Sequence, residues 1–181
     1  MEISEALLKR RAFKNLVRMP IAPDVIEELQ KAAQLAPSCF NRQPWRYVMV
    51  NDNETLNQLR EVYSEGNEWA YNASLVVAVV SRKDYDCIIR DREYYLFDTG
   101  LSSAFLILQA TALDLVAHPI AGFSPKKVRR ILSIPEEMSV VTLIIIGQHD
   151  KKKEEEPRPT RKNPREVFFM NRYRMEQADV E

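Results

Sequence analysis

Two apolar runs constrain this chain more than any other feature. Ser74-Leu75-Val76-Val77-Ala78-Val79-Val80 and Val140-Val141-Thr142-Leu143-Ile144-Ile145-Ile146-Gly147 are rich in β-branched residues and nearly free of polar breaks. A strand with one wet face alternates apolar and polar residues; a near-continuous run suits a strand covered on both faces. A third, shorter strand is expected at Tyr47-Val48-Met49-Val50. The strands near 47–50, 75–80 and 141–146 are separated by helical patterns without a regular strand–helix–strand rhythm. That predicts an α+β sheet covered by helices rather than a doubly wound fold.

The helices are read from period and punctuation. Ser4 to Arg11 is expected to be helical, with Ser4 as cap and Ala6, Leu7 and Leu8 on its apolar side. Pro23 suits a first helical position, and Val25, Ile26, Leu29, Ala32 and Ala33 share one face, with an end near Leu35 before Pro37. Asn53 is expected to cap a helix carrying Leu56, Leu59, Val62 and Tyr63, with Gly66 at its C-terminal cap. Asp98 to Val116 is apolar nearly all round. Leu101, Phe105, Leu108, Ala112 and Leu115 mark its most buried side, and a dimer interface is the expected use of so apolar a helix. His118 to Phe123 reads as a loop, and Ser124-Pro125 opens a further helix with Val128, Ile131 and Leu132 inside. Asp84 to Arg92 is expected to be a charged surface connection. Lys151 to Glu156 is expected to be a solvated linker. For Glu166 to Asn171 the Val/Phe content favours a short strand, with a helix starting at Pro164 as the alternative.

Composition removes several functions. A chain of 181 residues is long enough for one core. Lys+Arg and Asp+Glu balance at 26 each, so no global field attracts nucleic acid. The acidic start, Met1 to Glu5, lacks a signal-like apolar stretch, and no apolar run reaches membrane-span length. A cytoplasmic location is expected. Only Gly66, Gly100, Gly122 and Gly147 are present, so neither GxGxxG nor a P-loop can be written. Cys39 and Cys87 make no disulfide framework or metal set, and His118 and His149 lack zinc-site spacing. Cys39 reads as a packed or loop thiol rather than a nucleophile, and Asp84, Asp86, Asp91 and Asp98 as surface or cap residues.

What remains is anion binding plus one loop of polar donors. Lys9, Arg10, Arg11 and Lys14 crowd one end of the first helix, either as a solvated turn or as an anion site. Arg158, Arg161 and Lys162 lie near the other end of the chain, and arginine offers fork geometry for phosphate. Between them stands Ala36-Pro37-Ser38-Cys39-Phe40-Asn41-Arg42-Gln43-Pro44-Trp45-Arg46. It is too polar and proline-marked to read as core, and suits the cradle of a flat, polar-edged cofactor.

These segments resemble the nitroreductase family of FMN-dependent oxidoreductases. The resemblance is carried by Lys9-Arg10-Arg11, by Ala36 to Trp45, by Gly66-Asn67, by Asp98-x-Gly100, by Pro119-Ile120-Ala121-Gly122-Phe123, by Ile145-Ile146-Gly147 and by Arg161-Lys162. It runs from Leu7 to about Phe169, and each glycine falls where that family tends to place one. The resemblance implies a mixed, mainly antiparallel central sheet flanked by helices, in an intertwined homodimer with a swapped C-terminal segment. It implies a single FMN-binding domain over 1–181, with 151–181 a tail docking on the partner subunit. It implies hydride transfer from NADH or NADPH through flavin N5 to a nitroaromatic, quinone or similar acceptor, by a ping-pong mechanism. The alternatives are a non-catalytic flavin-binding dimer, or specialised flavin chemistry such as reductive dehalogenation.

The cofactor-binding set implied by the resemblance is Arg10, Arg11, Ala12, Lys14, Pro37, Ser38, Cys39, Asn41, Asn67, Pro119, Ile120, Ala121, Gly122, Arg161 and Lys162. Arg10, Arg161 and Lys162 would meet the phosphate, and Lys14 with Asn67 the pyrimidine edge. Pro37, Ser38, Cys39 and Asn41 would come from the other subunit. The 119–122 loop would pass against the ring. No side chain is implied as a catalytic acid, and no metal. Ala12 stands where the family usually has Ser, Ala121 where some members have Glu, and Asp114 where Gly is frequent.

Overall fold

The two apolar runs lie side by side at the centre of one sheet. The computed structural model describes residues 1–153 and 157–173. Its elements run α1 (Ile3–Lys9), β1 (Leu16–Val17), α2 (Pro23–Gln34), β2 (Arg46–Val50), α3 (Asn53–Gln58), β3 (Leu75–Ser81), β4 (Ile88–Ile89), β5 (Arg92–Glu93), α4 (Tyr95–Ala112), β6 (Val116–Ile120), α5 (Pro125–Ile131), β7 (Ser139–His149) and α6 (Pro164–Val167). The main sheet has the order β1-β7-β3-β2, and β6 also pairs with β7. The described pairings are all antiparallel. β7 is the spine, pairing with β3, β6 and β1 alike.

Alternation along the central strands divides the core in two. Val76, Ala78, Val80, Leu143 and Ile145 face α3, α5 and the short 3-10 turns over 59–72, joining Leu59, Val62 and Val128. Leu75, Val77, Val79, Ile144 and Ile146 face α2 and α4, joining Leu29, Ala33, Leu106 and Ala110. Both faces are therefore dry, which is why β3 carries no polar alternation.

Several boundaries differ from expectation. Ser4 does not cap α1: Glu2 holds the N-cap position, with no side-chain bond. Asp52, not Asn53, caps α3 by accepting from Thr55 N. Gly66 lies beyond that helix, as a turn glycine at φ 85°. His118 to Ile120 belong to β6, because Val116–Ile120 find the free edge of β7 and leave only 121–123 as loop.

The inner side of α4 is the largest correction. Asp98, Thr99, Ser102, Ser103, Leu106, Ala110 and Thr111 are its buried residues. Ser102 donates to Ala33 O at 2.8 Å and receives the Tyr47 hydroxyl at 2.7 Å, so small polar residues let the helix approach α2 and β2 closely. Phe105 is 38% exposed, and Leu101, Leu108, Ala112 and Leu115 are only half-buried.

The segment from Asp84 to Arg92 is not wholly surface, since Asp86 and Cys87 are buried. Ala36, Pro44 and Trp45 of the polar loop are also core. In the charge run, Lys151 pairs with Asp114 at 3.3 Å. Residues 154–156 of that run, and 174–181 of the expected tail, lie outside the described residues. The strand expected over Glu166 to Asn171 is replaced by α6. Asn163 and Glu166 form a reciprocal capping box there and Pro164 takes the first turn, so local capping outweighs the Val/Phe strand preference.

Candidate functional site

The site begins where α1 ends. The chain leaves Lys9 in extended form and carries Arg10 to Lys14 across the end of β7. Phe13 anchors this crossing: its ring stacks on His149 with centroids 3.8 Å apart. Its carbonyl accepts from His118 Nδ1 at 3.3 Å. His118 in turn stacks on Trp69 at 4.5 Å. Trp69 Nε1 donates to Asn67 Oδ1 at 3.2 Å, and Asn67 Nδ2 donates to Gly122 O at 3.0 Å. One continuous series of contacts thus fixes the 10–14 segment, the turn at Asn67 and the 119–122 segment relative to each other. A Cβ at Gly122 would run into Asn67 Nδ2, so a larger residue there would displace the Asn67 amide.

The charged part is a cluster of like sign. Burial, and then the charges of Arg161, Arg158 and Arg11, push the Arg10 guanidinium down. Arg158 Nη2 also donates to Leu8 O, which ties the C-terminal segment to the end of α1. Cations held together in this way favour a bound anion, above all one with several oxygens. An open cavity of about 380 Å³ beside them is lined by Lys9, Arg11, Phe13, Asp114, His149 and Arg158. Asp114 holds φ 60°, the left-handed conformation that glycine takes readily, and pairs with Lys9 at 2.9 Å. The turn after α4 therefore keeps its shape without a glycine. Lys9 and Lys151 hold the Asp114 carboxyl down.

The polar loop lies elsewhere on the chain. Cys39–Asn41 form one 3-10 turn, in which Phe40 and Asn41 have φ 49° and 56°, and Gln43 follows at 49°. Left-handed conformations in non-glycine residues cost on the order of 1–3 kcal/mol each and cluster at functional sites. Ser38 Oγ accepts from Gln43 N at 2.9 Å, and Asn41 Oδ1 accepts from Gln43 Nε2 at 3.3 Å. Cys39 is disulfide-bonded to Cys87, with Cα atoms 6.0 Å apart. This corrects the expectation of a loop thiol and of two unrelated cysteines. A separation of 48 residues gives no sequence cue, and folding alone brings the two together.

The arrangement of elements matches known proteins. The nitroreductase family model matches residues 7–78. An Archaeoglobus fulgidus protein bearing the provisional name NADH dehydrogenase/NAD(P)H nitroreductase is 28% identical, over 90% of this chain and 94% of its own. A solved structure described as an oxidoreductase containing FMN superposes with a TM-score of 0.83 at 28% identity, covering 96% of this chain and 94% of its own. A nitroreductase family protein from Clostridium difficile 630 superposes with a TM-score of 0.84 at 25% identity, covering 96% and 100%. The chain is thus similar to nitroreductase-family proteins, in sequence and in fold, over nearly its whole length.

Within this nitroreductase-family fold the expected site residues fall into two groups. Arg10, Arg11, Arg161, Asn67 and Gly122 are brought into one neighbourhood, with Ala12 and Lys14 on the crossing segment and Pro119 to Ala121 beside Gly122. Lys162 follows Arg161 and is exposed. In the second group Pro37, Ser38 and Cys39 line a cavity of about 390 Å³ with Phe40, Ile89 and Phe97, and Asn41 belongs to the same 3-10 turn as Cys39. Sequence reasoning named Arg158 in the tail cluster but left it out of the implied cofactor-binding set, although its charge acts on Arg10. It also missed Trp69 and His118, whose stacking carries no sequence signal, and the buried carboxyl of Asp98. That carboxyl accepts from Cys39 N at 2.6 Å.

Proposed function

We propose that this chain is an FMN-dependent oxidoreductase that takes electrons from NADH or NADPH and gives them to a nitroaromatic, quinone or similar acceptor. The observation that carries this reading is the junction of the Arg10 cation cluster with the Phe13–His118–Trp69–Asn67–Gly122 contacts. A flavin mononucleotide has a phosphate at one end and a flat, polar-edged ring at the other. The residues fit it: among the described residues the charges acting on Arg10 are all positive, and Asn67 packs closely against Gly122.

In this reading Arg10, Arg158, Arg161 and Lys162 bind the phosphate, with Arg11 and Ala12 on the same crossing segment. Arg158 is added to the set because its charge acts on Arg10. Lys14 and Asn67 meet the pyrimidine edge, where a cation favours negative charge. Asn67 is suited to this because Trp69 and Gly122 hold its amide in one orientation. Pro119, Ile120, Ala121 and Gly122 present backbone to the ring. Bound FMN would supply the redox chemistry, and these residues would hold it in one pocket that donor and acceptor could use in turn.

The active form is a cytoplasmic homodimer, in which Pro37, Ser38, Cys39 and Asn41 reach the partner's cofactor and the C-terminal tail docks across. An apolar groove of about 340 Å³ between α1, α2 and α4, lined by Ile3, Leu35, Phe105 and Leu108, supports this. Exposed Phe168 and Met170 on the tail support it further. No helix of the described residues is long and apolar enough to cross a membrane.

The deciding measurement is anaerobic. Purified protein should be yellow, or become so with added FMN, and should bleach with NADH or NADPH. Nitroaromatics, quinones or halogenated phenols should then restore the colour selectively. Protein that takes up no FMN overturns the reading. Uptake without bleaching leaves only the non-catalytic flavin-binding alternative. Colour return with halogenated phenols alone selects reductive dehalogenation.

A further inference from the structure

The Cys39–Cys87 bridge is flanked by two buried carboxyls. Cys39 N donates to Asp98 Oδ2 at 2.6 Å, and Cys87 N donates to Asp86 Oδ1 at 2.7 Å. Asp86 and Asp98 are 3% and 2% exposed. Asp86 Oδ2 is enclosed without a hydrogen-bond partner among the described residues. An oxygen of this carboxyl lies within 4.8 Å of both sulfurs. Arg42, from the polar loop, donates to the Asp86 carbonyl at 3.4 Å and is the cation acting on its side chain.

Two carboxyls held together away from water do not both ionise readily. Burial first, and the neighbouring Asp98 as well, push the Asp86 carboxyl up. The pair thus offers a place for a proton beside the sulfurs. Access is unequal: Cys39 lines the open cavity with Pro37, Phe40 and Phe97, whereas Cys87 is 4% exposed.

We propose that Cys39–Cys87 is a thiol–disulfide exchange centre for small dithiols, with Cys39 Sγ the sulfur attacked and the Asp86–Asp98 pair the proton store for Cys87. A thiolate of the dithiol attacks Cys39 Sγ from the cavity. A mixed disulfide forms, the Sγ–Sγ bond breaks, and its electron pair leaves with Cys87. A Cys87 thiolate enclosed there is costly, and the stored proton neutralises it. The carboxyl pair then regains a proton from solvent. The second thiol of the reductant attacks the mixed disulfide, departs as a cyclic disulfide, and frees Cys39, which is protonated from water. Two electrons and two protons pass from dithiol to protein, and a small disulfide reverses the sequence. None of these steps needs a flavin.

The test uses the full chain under anaerobic conditions, treated with dithiothreitol and then with oxidised dithiothreitol. Thiols are counted by maleimide mass tagging, and the fold is followed by circular dichroism. Folded protein should cycle between no tagged thiols and two per chain. Cys87→Ser should form a mixed disulfide with glutathione at Cys39, while Cys39→Ser should leave Cys87 untouched. Asp86→Asn should slow reduction about tenfold and flatten its pH profile. Asp98→Asn provides the same readout if Asp86→Asn misfolds. Reduction only upon unfolding overturns the proposal, as does a folded aspartate variant with unchanged rate and pH profile. Reduced protein that binds one Zn²⁺ from added zinc chloride and then resists reoxidation makes the cluster a metal site instead, and overturns it too.

Discussion

At the scale of single residues, Gly122 and Asp86 carry the sharpest consequences. Gly122→Ala drives a methyl into Asn67 Nδ2, an atom already bonded to Gly122 O. Asn67 must move and surrender its contacts with Gly122 and Trp69. A loss of about 1–3 kcal/mol in urea unfolding is expected, together with weaker FMN retention in a dialysis assay. Asp86 gives a pH signature. Its carboxyl is raised by burial and then by Asp98, so the fold favours its protonated form. That contribution is full below the unfolded value of about 4 and declines as pH rises through the folded value. Asp86→Asn should therefore flatten this decline in a series of unfolding curves above about pH 4. An unchanged slope would remove Asp86 as its source.

At the scale of elements, the central strands were legible and α4 was not. The Ser74–Val80 and Val140–Gly147 runs announce burial on both faces because period-two polarity is missing from them. The cations at the end of α1 were legible as a cluster, since Lys9, Arg10, Arg11 and Lys14 follow one another closely in the chain. The inner face of α4 was misread because size was taken as the signal for burial. Contact with α2 and β2 selects Ser102, Ser103 and Ala110 instead, through close approach and the Tyr47 hydroxyl. Nor could the 48-residue span between Cys39 and Cys87 be read from two isolated cysteines. The outer face of α4 belongs to the proposed dimer. Phe105→Glu on that face should raise the dimer dissociation constant by about a hundredfold or more, measured by sedimentation. An unaltered dimer would place the interface elsewhere.

At the scale of the whole molecule, the bridge and the sheet set different limits. The disulfide ties α2's outgoing loop to the β4–β5 hairpin, and a loop of this length contributes about 4 kcal/mol through restriction of the unfolded chain. Reduction by dithiothreitol should lower the urea midpoint accordingly. A midpoint equal in both redox states would mean the unfolded chain is not restrained by the link. The sheet limits the order of assembly during synthesis. Its spine, β7, spans residues 139–149, and it supplies the partner for β1, β3 and β6 alike. On a ribosome, the β2–β3 pair emerges well before the strand that completes it. From the end of β3 at Ser81 until β7 begins at Ser139, the apolar edge of β3 has no native partner, and it is available to chaperones or to another nascent copy. The residues that make the sheet stable are thus also those that make this protein's birth its most aggregation-sensitive moment.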